Sequence, residues 1–119
     1  MGKLTTHVLD TALGQPAAGV RLTLWEVNPQ ADIKTALKTI ETNSDGRTDE
    51  PLLMDSEFQA GIYELVFEVG AYFARHNAYG SETPFLDQVP LRFTVADSSS
   101  HYHVPLLLSP WSYSTYRGS

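Results

Sequence analysis

The chain has no cysteine, which removes disulfide scaffolding, thiol nucleophiles and every cysteine-based zinc pattern. Cationic residues are scarce: 8 Lys and Arg stand against 14 Asp and Glu, for a net charge of −6. Scattered along the chain, they leave no footprint for a nucleic-acid backbone. Long hydrophobic runs are missing too. Val104-Pro105-Leu106-Leu107-Leu108 is among the longest and falls far short of a bilayer span. Lys3 is followed only by a short mixed segment, so no secretory signal peptide is expected. Met1-Gly2-Lys3-Leu4-Thr5-Thr6 fits a loose myristoylation pattern, but Thr6 belongs to the first expected strand. The ending Arg117-Gly118-Ser119 is not the peroxisomal Ser-Lys-Leu signal, and cytoplasm is the expected compartment.

What remains is an ordinary folded composition, 42% hydrophobic and 18% charged over 119 residues, which predicts one domain spanning 1–119. Period-two alternation is its main signal. Strands are expected at Thr5 to Leu9, Val20 to Val27, Lys34 to Thr42, Ile62 to Val69, Val89 to Val95, His101 to Leu108 and Tyr113 to Arg117. Turn chemistry lies between them, most clearly at Asn43-Ser44-Asp45-Gly46, whose side chains and glycine supply local hydrogen bonds and positive φ. Ala71 to Asn77 is the one expected helix. About seven or eight short strands with so little helix predict an all-β sandwich, a small barrel being the alternative topology.

Chemistry concentrates in few places. The 4 histidines are His7, His76, His101 and His103. On a strand, His101 and His103 share a face. Such a pair matches a zinc-ligand spacing, with His7 or a carboxylate as a third ligand, although His-x-His without a further local ligand is a weak signal. Imidazoles also serve as acid and base near neutrality. His76, in the expected helix, reads as structural. Arg47 follows the tight turn and offers a fixed guanidinium to a carboxylate or a heterocycle. Ser119 has no nucleophile-elbow context. The last residues are unusually dense in function: a phenol, a guanidinium and a hydroxyl stand where chains normally fray.

Thr6-His7-Val8-Leu9-Asp10-Thr11, Gly14-Gln15-Pro16-Ala17, Thr42-Asn43-Ser44-Asp45-Gly46-Arg47, His101 to Pro110 and Ser114 to Ser119 together resemble the 5-hydroxyisourate hydrolases, the transthyretin-like enzymes of purine catabolism. The blocks stand in the family's order across nearly the entire chain, and the Tyr-Arg-Gly-Ser ending distinguishes the enzymes from transthyretin. The resemblance implies a transthyretin β-sandwich with one short helix and a homotetramer, a dimer of dimers, with active sites where dimers meet. It implies hydrolysis of 5-hydroxyisourate to 2-oxo-4-hydroxy-4-carboxy-5-ureidoimidazoline in urate degradation, without cofactor or metal. His7, Arg47, His103 and Ser119 would be catalytic, with His7, Arg47, Tyr116, Arg117 and Gly118 binding substrate. In this reading His103, alone or with His7, activates water, and Arg47 steadies charge on the attacked carbonyl. Two departures from the family are visible. Thr83 to Val89 lacks a Phe-Pro-Glu pattern, and Trp111 replaces a smaller aromatic. A carrier that binds an aromatic ligand in the same channel, and a zinc protein using His7, His101 and His103, are the competing expectations.

Overall fold

The computed structural model describes residues 2–76 and 83–118. Alternating burial builds the first strand: in β1 (Lys3–Asp10), Leu4, Thr6, Val8 and Asp10 are buried while Lys3, Thr5, His7 and Leu9 are more open. A parallel partner, β8 (His101–Leu108), sets Tyr102, Val104, Leu106 and Leu108 beside that inward row. Short strands β2 (Gln15–Pro16) and β5 (Leu53–Met54) also pair with β1, and β9 (Tyr113–Thr115) pairs with β8. The second sheet has the order β4 (Ile33–Glu41), β3 (Arg21–Asn28), β6 (Gly61–Glu68) and β7 (Gln88–Val95). Leu22, Leu24, Leu65, Phe67, Val89 and Leu91 belong to the same buried cluster as the inward row of the first sheet. This is the expected sandwich.

Several boundaries differ from the sequence reading for physical reasons. Val69 was expected to end a strand and Ala71 to begin the helix, but α1 spans Val69–Arg75. Its Val69, Gly70, Tyr72 and Phe73 are buried at helical spacing, and the Gly70 N–H donates to Asp87 O at 2.8 Å instead of joining a ladder. Asn77, the expected helix end, lies outside the described residues. The last strand was expected to reach Arg117, yet its ladder stops at Thr115 opposite Leu106. One step further, Pro105 faces Tyr116 with no N–H to give. Pairing resumes at an isolated bridge between His103 and Gly118. The pairs β2 and β5 are too short for periodicity to reveal.

The outer face of β6 is not solvent-facing as simple alternation predicts, for Glu64 and Val66 are buried. Burial works against ionisation of the Glu64 carboxyl, but hydrogen bonds and charge from Lys34 and Arg92 outweigh it and hold its pKa below the ordinary value. Lys34 Nζ donates to Glu64 at 3.0 Å and Arg92 Nε at 2.9 Å, while Lys34 also lies 5.0 Å from the centre of the Trp25 ring. The long cationic stems cover this face while their charges satisfy the carboxylate.

Candidate active site

The outward face of the β1–β8 pair carries the chemistry. Parallel register sets Lys3 opposite His101, Thr5 opposite His103 and His7 opposite Pro105. Thr5 Oγ1 lies 2.9 Å from His101 Nε2 and 2.8 Å from His103 Nδ1, so one hydroxyl joins the two imidazoles. Above them stands the turn that carries Arg47. Asn43 shapes it, its Oδ1 accepting from the N–H groups of Asp45 at 2.9 Å and Arg47 at 3.1 Å. Gly46 closes the turn at φ 75°, and a Cβ there would meet Val8 O at 2.3 Å. Only glycine fits.

His7 ties this turn to the sheet. Its Nε2 bonds the carbonyl oxygen of Asp45 at 2.9 Å. A carbonyl only accepts, so His7 carries its proton on Nε2 and that nitrogen is committed as a donor. A cleft of about 420 Å³ opens beside the turn, lined by Thr5, Arg47, His101 and His103 with Lys3, Asp49 and Glu50 among its other walls. Burial first, then the charges of Arg47, His101 and His7, hold the His103 pKa below the ordinary imidazole value. Each makes the cation more costly and favours the neutral imidazole.

The terminal segment closes on His103 from another side. The Gly118 N–H donates to His103 O at 2.7 Å. A Cβ on Gly118 would lie 2.6 Å from His103 Cδ2 and 3.1 Å from its Cβ. Tyr116 and Arg117 are set apart from this cleft. They line a separate groove of about 510 Å³ with Phe93, Tyr102 and Tyr113, and the Arg117 guanidinium sits 4.0 Å from the centre of the Tyr102 ring. Ser119 lies outside the described residues. His76 is remote from the cleft, donating from Nδ1 to Tyr72 O at 2.7 Å. Trp111 is exposed in the turn between β8 and β9.

Among the described residues no group of three or more His, Asp or Glu side chains is gathered closely enough to hold a metal ion. Thr5 was missed as a site residue by sequence reasoning. Period two sets it on the same face as His7, but only the register of two strands nearly a hundred residues apart brings it to His103.

Fold and cleft together define a class: a two-sheet sandwich with an imidazole and a guanidinium lining one cleft on an outer face. The chain belongs to the HIUase/Transthyretin family, which matches residues 4–118. It is 58% identical over 116 residues to the 5-hydroxyisourate hydrolase of Deinococcus radiodurans, covering 98% of this chain and 95% of that one. Among solved structures it resembles (S)-allantoin synthase with a TM-score of 0.91 at 48% identity, over 99% of this chain and 44% of that longer one. Sea bream transthyretin in complex with thyroxine aligns with a TM-score of 0.86 at 29% identity, over 98% of this chain and 94% of that one. The fold is the transthyretin-like β-sandwich.

Proposed function

We propose that this protein hydrolyses 5-hydroxyisourate to 2-oxo-4-hydroxy-4-carboxy-5-ureidoimidazoline in urate degradation. The family and the names of its enzyme relatives support the substrate. The observation that carries the mechanism is His103, its cation disfavoured by burial and neighbouring charge, in one cleft with Arg47.

His103 takes a proton from water at Nε2 as the water oxygen attacks the ring carbonyl. Nδ1 is engaged by Thr5, and among the described residues no hydrogen bond occupies Nε2. Arg47 donates to the oxygen on which negative charge develops, a contribution that is larger in the transition state than in the ground state. The ring C–N bond then breaks. The leaving nitrogen receives the proton from His103, and the carbonyl carbon becomes a carboxyl group, so one water is consumed and the base is restored.

His7 is the weaker candidate for the base, because its Nε2 already donates to Asp45 O. Its role in this reading is to hold the turn that presents Arg47, with Nδ1 left to meet substrate. Tyr116, Arg117 and Ser119 would act in a homotetramer, a dimer of dimers in which the terminal segment of one protomer borders the cleft of another. The groove holding Tyr116 and Arg117 lies off the cleft within a single chain, which favours that arrangement. No cofactor takes part, and the cytoplasm is the proposed compartment. The polar lining of the cleft suits a small heterocycle better than the large aromatic ligand of a carrier.

The test is carbon-13 NMR of labelled 5-hydroxyisourate, freshly formed from urate, with and without the protein. Accelerated appearance of the ring-opened carboxylate supports the assignment. Decay at the spontaneous rate overturns it.

A further inference from the structure

Among the described residues Thr5 is the one side chain hydrogen-bonded to both imidazoles of the cleft, and a hydroxyl has a single proton to share between them. Three arrangements satisfy the pair of bonds, because the hydroxyl oxygen can also accept twice. In the first, His103 Nδ1–H donates to Thr5 Oγ1, whose own proton goes to His101 Nε2. In the second, His101 Nε2–H donates to Oγ1, and the Thr5 proton goes to His103 Nδ1. The second puts the His103 proton on Nε2 and leaves no nitrogen free to receive one from water. In the third, His101 Nε2–H and His103 Nδ1–H both donate to Oγ1, which turns its own proton elsewhere. Only the first and third yield a base, and both put the His103 proton on Nδ1.

We infer that Thr5 is a positioning residue that holds His103 in the Nδ1–H tautomer, with His101 sharing the same hydroxyl oxygen. Which ring nitrogen carries the proton is set by the hydrogen bond made by the other. The distances of 2.8 and 2.9 Å are those of formed bonds. When Nε2 takes its proton, the imidazolium already has a partner for Nδ1–H and needs no rotation. The bond to Thr5 at Nδ1 and the absence of room for even a Cβ on Gly118 beside Cδ2 restrain the ring. His101 is exposed, so its Nδ1 can be satisfied by solvent. The charged groups around this relay are Lys3, Arg47, Asp49 and Glu50 in the cleft wall, with His7 alongside.

The inference rests on His103 being the base of the proposed reaction, and its test separates the two. Nitrogen-15 NMR of the wild-type protein, above the His103 titration, reads the tautomer without substrate. The expected signature is a pyrrole-type Nδ1 and a pyridine-type Nε2. Thr5→Val keeps the shape and removes the hydroxyl. Its kcat should fall about tenfold to a hundredfold, the usual scale for losing a group that orients a working imidazole, with KM changed less than twofold and the Nε2–H form populated. Thr5→Ser should restore both rate and tautomer. An Nε2–H His103 in the wild type, or a folded Thr5→Val protein with unchanged kcat, overturns the inference. If Thr5→Val does not fold, the wild-type spectrum alone decides it. A wild-type protein without turnover overturns the hydrolase reading instead and leaves the tautomer measurable.

Discussion

Replacing Gly118 with alanine adds one carbon where the structure has no room. The new Cβ would stand 2.6 Å from His103 Cδ2, with 3.1 and 3.2 Å to the ring's Cβ and Cγ. Ordinary carbon contacts need about 3.5–4 Å, so the two groups must part by roughly 1 Å. Gly118 carries no positive φ, hence the close approach, not backbone freedom, is what requires glycine. The imidazole cannot retreat without losing its 2.8 Å bond to Thr5. The terminal segment can move only by breaking the 2.7 Å bond from Gly118 N–H to His103 O.

Either movement alters the site far more than the fold. A misplacement of about 1 Å in a catalytic constellation costs on the order of 100-fold in rate, equivalent to about 2.7 kcal/mol of transition-state stabilisation. One lost backbone bond costs about 1 kcal/mol of stability, a fall in Tm of about 4 °C for a chain of this size. The assay is initial-rate spectroscopy of 5-hydroxyisourate decay beside thermal unfolding. A Gly118→Ala protein with full kcat/KM would refute the packing argument. So would a collapse in stability that accounts for the lost rate.

Much of the fold was legible because the sandwich rests on alternation. Leu4, Thr6 and Val8, and likewise Val89, Leu91 and Val95, face the core as period two requires. The failures fall where a partner or a special residue overrides the pattern. Val69 leaves the strand because Gly70 bonds Asp87 across a loop. The last ladder stops where Pro105 has no donor. Glu64 is buried on an outer face because Lys34 and Arg92, distant in sequence, cover it. The site divides in the same manner. His7, Arg47 and His103 are candidates from motifs and from resemblance, and the fold sets Arg47 and His103 in one cleft; Thr5 carries no such signal, since only strand register brings it to His103. The Asp45 carbonyl that commits His7 is a backbone atom with no sequence signature of its own.

Two further outcomes follow from the charges. Arg47→Gln should lower kcat/KM by about 100-fold to 1,000-fold, as for loss of an oxyanion donor. It should also move the acid limb of the pH–rate profile upward, because removing the cation lets the lowered His103 pKa rise toward its ordinary value. An unmoved limb, with Arg47→Lys matching it, would contradict the electrostatic reading. Glu64→Gln should weaken the protein to urea at pH 7 by about 1.5–3 kcal/mol, the range for hydrogen bonds to a charged group, toward or below the lower end because Lys34 and Arg92 are 40% and 52% exposed. The Glu64 pKa is lowered on folding, so its contribution is present above the unfolded value and lost as pH falls through the folded one. The wild type should therefore show an acid step in stability that the variant lacks, while the variant keeps its activity.

The proposed opening of 5-hydroxyisourate with His103 as base is tested by comparing wild type and His103→Ala on substrate freshly made by urate oxidase. Loss of the substrate's ultraviolet absorbance should be fast with the wild type and about 100-fold to 10,000-fold slower with the variant, the range for removing a general base, with the fold intact by circular dichroism. A folded His103→Ala protein that turns substrate over at the wild-type rate would rule out His103 as the base.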